Sequence, residues 1–170
     1  MSDICNAMIL PRIYTIGVYG WSEKEFFQKL VENKIDLFCD IRRRRAVRGS
    51  EYAFANSERL QHSLANLSIR YLHETRLAPT VEIIKLQDKF DKSHKVQRRK
   101  REELGDVFKK AYMDKILSHF DFQKFANDLE QENVKRIVLF CVERSPRACH
   151  RSLVTDKIKE MFPGTRCVNL

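Results

Sequence analysis

The eleven residues Cys141-Val-Glu143-Arg-Ser145-Pro146-Arg147-Ala-Cys149-His150-Arg151 bring together two thiols, a carboxylate, an imidazole and three guanidinium groups. Each group does a different job in a reaction. A thiolate attacks an electrophilic centre, an imidazole with an ordinary pKa near ~6.5 moves protons at neutral pH, and a guanidinium fork grips a phosphate or carboxylate through two parallel hydrogen bonds. Upstream, Arg136-Ile-Val-Leu-Phe-Cys141 is an apolar run bounded by charge, which predicts a strand buried on both faces. Ser145 suits an N-cap and Pro146 a first helical position, so a helix is expected to follow at once. Cys149, His150 and Arg151 then fall near its first turn. Unpaired N–H groups and the positive end of the helix dipole favour a thiolate, carboxylate or phosphate there.

Each of these residues carries two readings. Cys141 is a nucleophile or a small core residue of the strand, and Cys149 is a thiol activated by Arg147 and Arg151 or one tucked beneath the helix. Glu143, just past a buried strand, faces the ligand crevice of an α/β sheet or sits at the surface beside the cap. His150 is a general acid or base, or a structural histidine. Arg151 binds the anionic group of a ligand together with Arg42 and the helix N-terminus, or it holds Glu143 or Asp40 in place.

The rest of the chain must position this segment. Ile13–Val18 is a short β-branched run left through Gly17 and Gly20, and Ser22-Glu-Lys-Glu25 matches a capping box ahead of the stripe Phe26, Phe27, Leu30, Val31. Leu37–Ile41 reads as the second strand, Ser57 opens a helix with Leu60, Leu64 and Leu67 on one face, and Ile69–Leu72 is the third strand. Residues 80–119 are charged and helical in pattern, with Leu104, Val107, Phe108, Ala111, Tyr112 and Ile116 forming an apolar face. Asp121 suits a cap for the next helix, and Thr165–Val168 a last short strand. Strands separated by helices need crossovers. The expected fold is therefore an N-terminal extension over 1–12 and a single α/β domain over 13–170, with a mostly parallel sheet, helices on both faces and a helical insertion at about 80–119. In such sheets ligands bind beyond the carboxyl ends of the strands. That rule gathers Gly17, Tyr19 and Trp21, Asp40 to Arg45, His73 and Glu74, and Cys141 to Arg151 at one edge.

Three motifs occur in a fixed order: Thr15-Ile16-Gly17, Asp40-Ile41-Arg42 and C-x-E-x-x-P-x-x-C-H-R over Cys141–Arg151. In them the chain resembles the domain-of-unknown-function 488 family over nearly its whole length. Arg48-Gly49-Ser50-x-Tyr52-Ala53-Phe54-Ala55-Asn56, Ile69-Arg70-Tyr71 and Leu77-Ala78-Pro79 resemble one branch of it. The chain departs from many members at Val18, where they carry histidine, and at Arg43, where they carry proline. The resemblance implies the fold and the place of the site. It does not imply a reaction.

With 170 residues, 43% apolar, the chain can build one sizeable core, and no apolar run approaches the roughly 18–20 residues of a membrane span. The start lacks the basic and apolar regions of a signal peptide, and an odd count of five cysteines without CxxC spacing argues against a disulfide framework and a structural zinc site. No metal ligand set is assigned, and the expected compartment is the cytoplasm. The formal charge of +9 is concentrated in Arg42, Arg43, Arg44, Arg45 and Arg48 and in Lys92, Lys95, Arg98, Arg99, Lys100 and Arg101, leaving the remainder near neutral. Such clusters bind polyanions or are simply solvated; for the first reading Arg44, Arg45, Arg48, Lys95, Arg98, Arg99 and Arg101 are the expected nucleic-acid contacts.

Three functional classes follow. The first is an enzyme acting on a phosphate-containing substrate, a nucleotide or nucleic acid. In it Asp40, Glu143, His150 and Cys149 serve catalysis, while Arg42, Arg43, Arg151, Gly17 and Tyr19 hold the anion. The second is a non-enzymatic nucleic-acid-binding module. The third is a cysteine-dependent phosphatase-like or rhodanese-like enzyme, because Cys141-x5-Arg147 has the spacing of a phosphatase loop, although the glycines of such a loop are absent and Glu143 would repel a phosphate. No cofactor is demanded; Asp40, Glu143 and Glu74 could share Mg²⁺ with a substrate phosphate. The expected partner is an anionic small molecule or nucleic acid, not a membrane, and no pattern sets an oligomeric state.

Overall fold

The computed structural model describes residues 10–170, apart from the side chain of Arg98; the rest of the expected N-terminal extension lies outside them. Five strands form one all-parallel sheet: β1 (Arg12–Gly17), β2 (Leu37–Asp40), β3 (Arg70–His73), β4 (Arg136–Cys141) and β5 (Cys167–Asn169), in the order β3-β2-β4-β1-β5. The strands at 13–18, 37–41 and 137–142 are parallel neighbours, with Ile13 beside Ile137 and Leu37 beside Ile137 from the other side. β2 and β4 are buried at every position from Leu37 to Asp40 and from Ile137 to Cys141, as the unbroken apolar runs require.

Alternation along the strands divides the core into two layers. Tyr14, Ile16, Phe38, Val138 and Phe140 pack against Phe26 and Leu30 of α1 (Glu23–Glu32) and Leu60 and Leu64 of α2 (Ser57–Asn66). Ile13, Leu37, Cys39, Ile137 and Leu139 face the opposite layer. That layer contains α3 (Val81–Ser93), α4 (Asp106–Tyr112), α5 (Phe122–Gln131) and α6 (His150–Met161). The helix leaving β1 thus lies on one face and the helix leaving β4 on the other. Between these two neighbouring strands is the topological switch point, where an open α/β sheet leaves a crevice.

Local signals explain most boundaries. Ser22 and Glu25 form the complete capping box of α1, and the Asp121 carboxylate accepts the Lys124 N–H at 2.8 Å to start α5. α2 begins at Ser57, but Asn56 holds the N-cap position; its carboxamide instead accepts the Val47 N–H at 2.7 Å and fixes the arginine-rich loop. Between β3 and β4 the apolar face expected over 104–116 is only partly buried: Leu104, Phe108 and Tyr112 are inside, whereas Val107 is 62% exposed. Beyond Tyr112 a π-helical turn over Met113–Leu117 shifts the register, so that Leu117 is buried and Ile116 only partly so. No helix among the described residues is long and apolar enough to cross a membrane.

Candidate functional site

Register sets the edge. Gly17 lies beside Cys141, and Asp40 beside both Phe140 and His73, so the carboxyl ends of four strands share one line. Beyond it opens a cleft of about 700 Å³. Its floor is Cys141, Glu143, Cys149 and His150; one wall carries Arg43, Arg44 and Arg48 from the loop after β2, and the other carries Lys85 and Asp88 of α3 with Arg99 and Arg101 beyond it.

The segment after β4 folds differently from a single capped helix. Pro146 opens a short 3-10 turn, Pro146–Ala148, as its fixed φ allows, but the Ser145 hydroxyl makes no capping bond. The chain becomes extended at Cys149 (φ −138°, ψ 144°) before α6 begins at His150. Cys149 is therefore the N-cap of α6. This reversal brings Cys149 back over the end of β4, so the Cys141 and Cys149 sulfurs each lie 3.8 Å from His150 Nδ1. All three side chains are buried and line the cleft floor. His150 Nε2 is 3.1 Å from the Ile41 carbonyl; a carbonyl only accepts, so Nε2 carries a proton there and Nδ1 is the ring nitrogen that faces the two sulfurs. Burial opposes ionisation of Cys149, but the Cys141 thiol donating to it and the neighbouring His150 and Arg151 outweigh burial and hold it well below the ordinary thiol range. Cys141, as that donor and as a buried group, is held well above it.

Other expected site residues serve the scaffold. Asp40 is fully buried, and its carboxylate accepts from the Arg42 backbone N–H (3.1 Å), from Arg42 Nε and Nη2 (2.8 and 2.7 Å) and from the Tyr71 hydroxyl (2.8 Å). With four donors on two oxygens and no face in the cleft, it anchors the loop after β2. Arg42 touches the cleft, but its fork closes on Asp40, Nη1 donates to the Ala55 carbonyl at 3.0 Å, and the guanidinium lies 4.4 Å from the Phe140 ring centre. Arg151 is 1% exposed, and its fork donates to the carbonyls of Glu143 (2.5 Å) and Arg144 (2.9 Å). It pairs with neither carboxylate and lies off the cleft wall; it shapes the loop bearing Glu143 and adds positive charge beside the thiols. Gly17 makes a backbone contact with the same loop. A Cβ there would lie 1.8 Å from the Glu143 carbonyl oxygen, so glycine is what lets this loop approach β1.

The basic clusters separate in the same way. Arg43, Arg44 and Arg48 are exposed on the cleft wall. Arg45 is half-buried, off the cleft, where its side chain bonds to Tyr71. Lys95 is exposed away from the cleft, and the Arg98 side chain lies outside the described residues. Arg99 straps the rim: it donates to the Arg48 carbonyl at 2.8 Å and covers the rings of Tyr19 and Tyr52 at 5.3 and 5.7 Å. The side chain of Arg101 is 8% exposed, bonded to Asp91 and 3.7 Å from Glu143. Gln87 completes this buried network, donating to Asp91 at 2.8 Å and accepting the Gly105 N–H at 2.9 Å. The tie between α3 and the Glu143 loop was unrecognised in the sequence; its one signal is the polar pair Gln87 and Asp91 spaced four apart on the Ile83 face.

The carboxylates considered for Mg²⁺ do not assemble. Asp40 is closed by Arg42, and Glu74 accepts from Arg76 Nε and Nη2 at 2.8 and 2.6 Å. His73 and Trp21 stay peripheral: His73 Nε2 bonds the Arg42 carbonyl at 2.9 Å, and Trp21 packs on the α1–α2 core layer. Among the described residues the group with metal-ligating geometry is Cys141, Cys149 and His150, whose donor atoms lie within 4.8 Å of one another.

No curated protein and no solved structure matches the chain. The family model for Domain of unknown function DUF488 matches residues 22–158, from the capping box of α1 to the buried Ile158 of α6. That span contains the Asp40–Arg42 anchor, the arginine wall and the whole Cys141–Arg151 segment, and the chain belongs to the DUF488 family, whose function is uncharacterised.

Proposed function

We propose that this protein is an enzyme acting on a phosphate-containing substrate, of nucleotide or nucleic-acid type, held against the arginine wall and transformed at the Cys141–Cys149–His150 floor. The observation that carries the reading is the meeting of two unlike groups in one cleft: exposed guanidinium groups of Arg43, Arg44 and Arg48 above a buried thiol–imidazole cluster. Arginines on one wall favour a polyanion. A binding module needs nothing further, yet here the loop after β4 is folded through an extended N-cap to stack Cys149 and His150 over Cys141. Glu143, beside Arg101 at the floor, is the carboxylate that takes the substrate-side proton, and Tyr19 with the Arg99 guanidinium over it lines the rim.

The test begins with thermal shift over inorganic phosphate, nucleotides and short oligonucleotides, since a ligand of the folded state raises its stability. The best ligand is then incubated with protein and followed by phosphorus NMR. Arg43→Ala/Arg44→Ala/Arg48→Ala should lose binding, whereas Cys149→Ser should keep binding and lose turnover. Turnover surviving in Cys149→Ser would reject the floor as the reacting centre. Binding without turnover in the wild type would leave the nucleic-acid-binding module in its place.

A further inference from the structure

We propose that Cys141 Sγ, Cys149 Sγ and His150 Nδ1 are three ligands of a Zn²⁺ ion whose fourth position opens into the cleft. The two S···Nδ1 distances are both 3.8 Å, and all three donor atoms lie within 4.8 Å of one another. A tetrahedral ion with bonds of about 2.3 Å to sulfur and about 2.0–2.1 Å to nitrogen separates its donors by roughly 3.5–3.8 Å. The cluster is therefore spaced for an ion, whereas 3.8 Å is a weak contact for a hydrogen bond to a buried imidazole nitrogen.

Orientation agrees with spacing. The Nε2–H bond to the Ile41 carbonyl fixes the tautomer that leaves Nδ1 free to ligate, the outer-shell arrangement that metal-binding histidines adopt. Each donor also stands on a defined element: Cys141 ends β4, Cys149 caps α6 and His150 is the first residue of that helix. Two thiolates and an imidazole select a soft or borderline cation over Mg²⁺. Two thiolate charges balance one Zn²⁺, so an occupied site adds no net charge to a buried floor. Because all three ligands line the cleft, the open position takes water or an oxygen of an anionic ligand. That last role rests on the cleft reading of the preceding section; binding of the ion does not.

The full chain should be purified in reductant without added metal and analysed for zinc, then stripped and titrated with Co²⁺. The expected result is one ion per chain and a thiolate-to-cobalt charge-transfer band that Cys141→Ser, Cys149→Ser and His150→Ala each abolish or weaken. The loss should exceed the roughly 10–100-fold that outer-shell changes cost. Cys167→Ser, a half-buried cysteine on β5, should leave the band intact. Should the ligand variants fail to fold, zinc X-ray absorption on wild-type protein decides, with two sulfurs at about 2.3 Å and nitrogen at about 2.0–2.1 Å expected. Absence of both zinc and the cobalt band, or a band that survives in Cys149→Ser/His150→Ala, overturns the assignment. Phosphate and oligonucleotide binding measured on stripped and loaded protein keeps the two ideas apart. Anion binding without a metal rejects only this site, and metal binding without anion affinity rejects only the cleft reading.

Discussion

Arg42 and Arg151 are arginines in a cleft-forming region whose forks close on the protein's own oxygens, which is what burial demands of a guanidinium with no free anion beside it. Arg151→Lys keeps the charge but cannot reach both carbonyls, so it should cost about 1–3 kcal/mol in denaturant unfolding while ligand affinity per folded molecule is unchanged. Lost affinity at full stability would return Arg151 to the ligand. Tyr71 shows the same economy from the other side of Asp40. Burial first, and then the Asp40 charge that accepts its hydroxyl, push the Tyr71 pKa up to about 12. A raised tyrosine pKa means that the native state holds its proton more tightly than the unfolded chain. The stability this contributes is complete below the ordinary value near ~10 and is lost as pH rises through the folded value. Tyr71→Phe should therefore cost about 0.5–1.5 kcal/mol at neutral pH, and it should flatten the fall in stability above pH ~10. A wild-type minus variant absorbance titration would place the phenol directly.

At the scale of elements, strand identity and neighbours were legible because continuous apolar runs such as Ile137–Phe140 and the complete capping box at Ser22 act through local chemistry. The loop after β4 was legible only in part. Ser145 and Pro146 announce a helix start, and a turn does begin there, but the break at Cys149 comes from the tertiary environment: the His150 ring bonded to Ile41 on β2's exit and Arg151 drawn beneath Glu143. Without that break the cysteine spacing of eight matches no familiar ligand pattern, which is why the sequence argued against zinc. Gly17 belongs to the same account. Read as a turn residue, it is instead the contact through which β1 accepts the loop, and Gly17→Ala must push the Glu143 carbonyl away from Arg151. The expected outcome is a loss of at least about 1–3 kcal/mol, read from the urea midpoint. A neutral substitution would mean that the approach of β1 and the loop is not what seats Arg151.

Across the whole molecule the two basic segments, fifty residues apart in the chain, are not independent patches. Arg99 reaches the Arg48 carbonyl and the Tyr19–Tyr52 pair, so one segment straps the wall built by the other, while Arg101 is spent on Asp91 and Glu143 inside the protein. Sequence alone weighs all eleven cations of these clusters alike, because it shows charge without showing which guanidinium groups already have partners. Only Arg43, Arg44 and Arg48 combine exposure, a place on the cleft wall and a common loop. A polyanion that displaces counterions from these three should bind with an affinity falling linearly in log salt, and neutralising all three should flatten that line by about 2–3 units. Lys95→Ala/Lys100→Ala, exposed but off the cleft, should leave the slope unchanged. Fluorescence anisotropy of a labelled oligonucleotide across a salt series tests both at once. If the Lys95 and Lys100 change flattens the slope and the arginine triple does not, the polyanion lies across the outer face of the helical segment. The cleft is then left to a small phosphorylated ligand.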